Sequence, residues 1–163
     1  MAIEAVREYL AQYQLDGRVR EFPVSSATVE LAAAALGTSP ARIAKTLSFL
    51  VEGQCILIVA AGDARVDNAK FKAQFHTKAK MPSPPEVEAL VGHAVGGVCP
   101  FAVKPGVRVF LDVSLRRFET VFPACGSANS AIELTLPELE TAARAAGWID
   151  VCKDWDPDTT AAV

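Results

Sequence analysis

The chain is poor in the residues that carry metal and nucleophile chemistry. Its two histidines are His76 and His93, and its four cysteines, Cys55, Cys99, Cys125 and Cys152, lie too far apart for a C-x-x-C pair or a cysteine–histidine set at zinc spacing. Neither a zinc module nor a disulfide framework is indicated. There is no G-x-S-x-G, no H-E-x-x-H and no phosphate-loop motif, so the standard serine-hydrolase, metalloprotease and nucleotide-binding patterns are missing. No apolar run is long enough to span a bilayer, and Met1 to Tyr13 already mixes charges into a helical pattern where a leader would be continuously apolar. Basic excess is lacking too: the formal net charge of -3 argues against wrapping nucleic acid by charge alone. These absences lead to the expectation of a soluble cytoplasmic protein with reduced thiols.

What is present is core-forming sequence. Of the 163 residues 51% are hydrophobic and the mean hydropathy is positive, so one compact domain can form without metal or disulfide support. That domain is expected over residues 1–153, with 154–163, which contain Pro157 and polar neighbours, as a frayed tail. The most strongly patterned stretch runs from Arg42 to Ala60. Two apolar, β-rich runs, Arg42 to Val51 and Cys55 to Ala60, flank a polar turn containing Gly53, as in a buried hairpin. Lys45 stands at its mouth. Its amine either points into a cleft lined by the sheet, where burial would lower its pKa, or ends a helix begun at Ser39-Pro40 and complements that helix's dipole. The second arrangement is much the commoner one.

Helices are expected over Ala2–Tyr13, Thr28–Leu36 with Ser25 or Ser26 as cap and Gly37 as stop, Val66–Phe75 with Asp67 as cap, and Glu86–Val91 after Ser83. A final helix opens at the capping box Thr135-Leu136-Pro137-Glu138 and runs through Ala146 to a stop at Gly147. Further strands are expected over Arg18–Phe22 and Val107–Leu111, with Thr120–Pro123 and Ala131–Leu134 as a closing pair. Helices and strands do not alternate, which favours an α+β fold over a doubly wound parallel sheet.

Candidate chemistry is thin. His93, in a glycine loop, could be a base, though such a residue is more often structural. Cys55 reads as core, whereas Cys99 and Cys125 neighbour loop glycines and could be accessible nucleophiles. Gly96-Gly97-Val98-Cys99-Pro100 is notable for its backbone: glycines let amide groups crowd a carbonyl oxygen and meet developing negative charge. The plainer reading is a turn needing positive φ. Arg42, Lys45, Lys70, Lys72, Lys78 and Lys80 could converge beside the hairpin and touch phosphates, or simply form a solvated face.

Ala44-Lys45-Thr46-Leu47 ahead of two core strands, Gly96-x-x-x-Pro100, Val109-Phe110-Leu111-Asp112 ending a strand, the Cys125-Gly126 turn and the helix at Leu136-Pro137-Glu138-Leu139 follow one another in an order that resembles the YbaK family. This family, also called YbaK/EbsC, is related to the editing insertion domain of bacterial prolyl-tRNA synthetase. The likeness covers about Phe22 to Ala146. It implies a mixed, barrel-like β-sheet with peripheral helices and a hydrolase that clears mischarged tRNA in trans, without cofactor or metal. The amino acid removed would be small, of the cysteine, alanine or serine type, and a synthetase could be a partner. By the same resemblance Lys45, Gly96 and Gly97 are the catalytic positions. Thr46, Val98, Cys99, Pro100, Cys125 and Gly126 would bind substrate, and Arg42, Lys70 and Lys72 would meet the tRNA. Cys125 departs from the small residue that relatives often carry before that glycine. An activated aminoacyl ester needs positioning and charge stabilisation more than a protein nucleophile, so the missing triad is no obstacle. The reading from a different class is a non-catalytic module that binds tRNA ends or a synthetase.

Overall fold

The structure, a computed structural model, describes Ala2 to Asp156; of the tail expected over 154–163, residues 157–163 lie outside the described residues. Helices α1 (Ala2–Ala11) and α2 (Val29–Leu36) bracket strand β1 (Arg20–Glu21). The hairpin follows as β2 (Ile43–Val51) and β3 (Gln54–Ala61), then β4 (Arg65–Val66), α3 (Asn68–Phe75) and α4 (Pro84–Val91). The rest comprises β5 (Arg108–Asp112), β6 (Thr120–Pro123), β7 (Ser130–Ala131), β8 (Leu134–Thr135), α5 (Leu136–Ala142), β9 (Gly147–Ile149) and β10 (Cys152–Lys153).

Six strands form one sheet in the order β8-β6-β2-β3-β5-β9, which curls into half a barrel, while β1 pairs with β7 and β4 with β10 outside it. The sheet is mixed: β2–β3 and β6–β8 are antiparallel, and β2–β6, β3–β5 and β5–β9 are parallel. The fold is α+β with peripheral helices. The β2–β3 register runs from Ala44↔Ala61 to Val51↔Gln54. Glu52 and Gly53, at the tip, have φ of 51° and 79°, the two-residue geometry whose twist suits paired strands. Cys55 to Ala61 are all buried, because β3 is central and its Ile-Leu-Ile-Val run tolerates cover on both faces. Helix α3 contributes to the core through Phe71 and Phe75, one turn apart. Phe71 packs at a tilt against Phe49 at 5.0 Å, and Phe75 meets Phe110 edge-to-face at 5.3 Å between ring centroids.

Local chemistry sets most element starts. Thr28, not Ser25 or Ser26, caps α2 by accepting from the Leu31 amide, and Gly37 ends it in the left-handed region. Asp67 caps α3, and Ser83 and Thr135 each form a capping box with Glu86 and Glu138. Three expectations need correction. Pro40–Arg42 is a single 3-10 turn rather than a helix, so Lys45 belongs to β2, paired with Ala60. The final helix stops at Ala142, and Gly147 opens a parallel edge strand on β5 instead of ending a helix. The expected strand partner of β6 divides in two: β7 pairs with β1, and only β8 pairs with β6. Sheet edges recruit these short segments by position in space, which spacing along the chain does not encode.

Candidate active site

A cavity of about 420 Å³ opens against the first half of β2 and is closed by the start of α2, the Met81–Pro84 segment, the Val95–Val98 loop and residues around β6 and β7. Its wall is mostly apolar, with Lys45, Thr46, Ser26 and Ser130 among the polar members. Such a lining, apolar with a few placed polar groups, is the usual form of a small-molecule pocket.

Among the described residues Lys45 is the one cation in that wall. Its Nζ donates to the carbonyl oxygens of Gly62, at 3.3 Å, and of Ala64. Burial lowers its pKa from the ordinary lysine value, and Arg65 adds to that, while Cys152, Asp63 and Glu30 oppose it. Two of the three ammonium donors are thus used by backbone, which leaves one for a ligand. The neighbouring Thr46 places a buried hydroxyl oxygen with no hydrogen-bond partner among the described residues.

The glycine loop reaches the cavity through Val95, Gly96 and Val98. Gly96 has φ of +99°, open to glycine and costly for other residues. Gly97 faces away: a Cβ there would meet the Ser127 amide nitrogen at 2.7 Å and the Gly126 carbonyl carbon at 2.8 Å. Its own amide donates to Ala94 O at 3.0 Å, so it is not available to a carbonyl in the cavity. Two backbones meet there, and only glycine permits it. Beneath the loop His93 is 1% exposed, and its Nε2 lies 2.7 Å from Phe101 O. A carbonyl only accepts, so Nε2 carries the proton and the buried Nδ1 has no partner among the described residues.

The remaining expected positions separate. Cys99, Pro100, Cys125 and Gly126 do not line the cavity. Cys99 and Cys125 are fully buried, against the expectation of accessible thiols; burial pushes Cys99 up to about 12 and Cys125 well above the ordinary thiol value. Cys99 Sγ is 3.6 Å from His93 Nε2, but that nitrogen is committed to Phe101, so no thiolate–imidazole pair can form. Gly126 instead seats α1: a Cβ on it would meet Val6 at 2.9 Å.

Arg42 is a bracket rather than a free cation. Its guanidinium donates to Thr120 O at 3.3 Å and to the Thr120 hydroxyl, pairs with Glu133 at 3.3 Å and covers the Phe122 ring. Lys70 is held by Asp150 at 3.1 Å and Cys152 O at 3.0 Å. Lys72 borders a second hollow that also contains Asn68 and Lys78. Among the described residues no group of three potential metal-binding side chains occurs, and no helix is long and apolar enough to cross a membrane.

Sequence reasoning missed Gly62. A Cβ on it would lie 2.0 Å from Pro40 O and 2.7 Å from Val29. The approach of Pro40 that demands glycine joins segments distant in the chain, so no local signal marks it.

The profile of the aminoacyl-tRNA editing domain matches residues 24–142. Among curated proteins the chain is 56% identical over 157 residues to the uncharacterized protein YwhH of Bacillus subtilis (strain 168), covering 96% of this chain and all of that one. It is 28% identical over 90 residues, 55% of the chain, to a proline–tRNA ligase of Lysinibacillus sphaericus (strain C3-41), of which this covers 16%. A crystal structure of a candidate trans-editing enzyme for prolyl tRNA synthetase superposes with a TM-score of 0.84 at 27% identity, covering 93% of this chain and 97% of that one. The chain therefore belongs to the aminoacyl-tRNA editing domain family, of the YbaK type, and is a hydrolase of the deacylase class.

Proposed function

We propose that this chain acts in trans on tRNA mischarged with a small amino acid of the cysteine, alanine or serine type and hydrolyses its ester. The observation that carries this reading is the half-buried amine of Lys45 on the wall of a mostly apolar cavity whose rim includes the Gly96–Val98 loop. Water adds to the ester carbonyl, the bond to the terminal ribose oxygen breaks, that oxygen leaves with one of the water's protons, and the amino acid departs as a carboxylate with the other proton released to solvent. Lys45 supplies its remaining N–H to the ester or the ribose. Loop amides face the carbonyl oxygen as charge develops. Those of Gly96 and Val98 have no acceptor among the described residues, whereas the Gly97 amide is taken by Ala94. With a cysteinyl substrate the family resemblance also allows the substrate's own thiol to attack. The cavity selects by size and by these polar contacts.

Lys72, Lys78 and Lys80 are the members of the expected basic set left for tRNA phosphates, given that Arg42 and Lys70 are engaged and Lys45 lies in the cavity wall. The likeness to part of proline–tRNA ligases supports tRNA specific for proline as the substrate and the corresponding synthetase as a partner. Purified protein assayed against a panel of mischarged tRNAs tests the proposal, with Lys45→Ala as the comparison. We expect release of a small amino acid by the parent and a loss of about 100-fold or more in Lys45→Ala, the range for removing one placed donor. Equal rates from the two proteins would remove Lys45 from the reaction.

A further inference from the structure

We propose that the Asp63–Arg117 ion pair positions the Lys45 amine by fixing the turn whose carbonyls hold it. This rests on the reading of Lys45 given above. The two oxygens that accept from Lys45 Nζ belong to Gly62 and Ala64, the residues on either side of Asp63. The Asp63 carboxylate takes both arms of the Arg117 guanidinium, Nη2 to Oδ1 at 2.6 Å and Nη1 to Oδ2 at 2.9 Å. Arg117 is itself locked. Its side chain is 4% exposed, its Nε donates to Ser114 O at 2.9 Å, its Nη1 to Asp156 O at 3.1 Å, and the rings of Phe118 and Trp155 lie 4.8 and 5.0 Å from its guanidinium carbon.

The same support reaches one residue further back. The Ala61 amide donates to the Ser114 hydroxyl at 3.1 Å, and Gly62 is wedged against Pro40. Residues 61, 62 and 63 are thus tied down in succession, and the carbonyls at 62 and 64 have little freedom to turn. A bidentate arginine–carboxylate pair fixes orientation as well as distance, which lysine in its place would not. Burying a pair of charges is a poor way to add stability, since desolvation offsets attraction; its best-attested use is to specify one geometry. Four charged or titratable groups act on Lys45: Cys152 of β10, Asp63 of the turn, Arg65 of β4 and Glu30 of α2. Asp63 is the member of that set that also holds the backbone on which the amine rests.

The test uses the full chain with Asp63→Asn, which keeps the shape and loses the charge, and with Arg117→Lys and Arg117→Met. Deacylation kcat and KM, the Lys45 ¹⁵Nζ titration by NMR and the thermal midpoint are measured on each. We expect Asp63→Asn to lower kcat by about tenfold or more, as for a small misplacement of a reacting group, with KM changed less and Lys45 titrating at lower pH. Arg117→Lys should retain part of the kcat that Arg117→Met loses. A folded Asp63→Asn or Arg117→Met with the parent's kcat and the parent's Lys45 titration overturns the proposal. Should Asp63→Asn fail to fold, the two Arg117 variants decide by the same readings. If Lys45→Ala deacylates like the parent, the role of Lys45 in the reaction falls, and the Lys45 titration in these variants still decides whether the ion pair positions it.

Discussion

Gly97 and Ser127 approach so closely that a Cβ on the first would sit 2.7 Å from the amide nitrogen of the second. This contact sets the loop that carries Gly96 against the turn after β6, and so fixes one wall of the cavity. Gly97→Ala must push two backbones apart. It should cost roughly 1–3 kcal/mol, the range for overpacking, and reduce deacylation with it. Gly62→Ala, with Pro40 O at 2.0 Å, should cost more. Gly147→Ala, with nothing within 4 Å, is the control and should leave both thermal midpoint and rate near the parent's. A Gly97→Ala protein as stable and active as the parent would contradict the close approach.

Burial lowers the pKa of the Lys45 amine, and the proposed role needs the ammonium form. Deacylation, corrected for spontaneous ester hydrolysis, should therefore fall as pH rises, with a midpoint below the ordinary lysine value of 10.5. Lys45→Arg, slower because its geometry differs, should lack that alkaline fall. A rate that instead rises through the same limb in the parent alone would make the amine a base.

His93 is held neutral in the fold, its pKa lowered by burial and only partly restored by the bond to Phe101. The unfolded chain takes up that proton near 6.5 and the folded chain only at lower pH, so the unfolded state binds more protons in between. This contribution to stability is whole above 6.5 and is lost as pH falls through the folded value. Urea unfolding from about pH 7 to 5 should show it, and His93→Gln should flatten the slope.

All four thiols are buried and unpaired with one another. An aromatic disulfide reagent at neutral pH should label none of them quickly in the folded protein and all four in denaturant. Cys99→Ser and Cys125→Ser should keep the deacylation rate within a few-fold, for burial and the raised pKa values of both thiols leave them no nucleophilic role. Abolished hydrolysis in either folded variant would restore a cysteine mechanism.

With its acidic total, the protein should bind tRNA modestly and lose affinity as salt rises. Each phosphate contact contributes about 0.9 to the slope of log affinity against log salt. Lys72→Ala and Lys78→Ala should each lower that slope by about that amount, while Arg42→Ala should act mainly on stability. Filter binding across a salt series reads both.

The sequence by itself determined the parts whose causes are local. Alternating and continuous apolar runs with a glycine-bearing turn specify the β2–β3 hairpin, and Asp67, Ser83 and Thr135 specify helix starts through hydrogen bonds made within three residues. The Ala44–Leu47, Gly96–Pro100, Val109–Asp112, Cys125-Gly126 and Leu136–Leu139 motifs, taken together in order, pointed to the family. Tertiary structure alone decided which residues share the cavity. It brought Gly62 and Ala64 under the Lys45 amine, turned Gly97 and both loop cysteines away from the pocket, and spent Arg42 on Thr120 and Glu133. The physical reason is that these outcomes depend on contacts between segments 17 to 91 positions apart, whose geometry is set by sheet order and close packing and leaves no periodic trace in the chain.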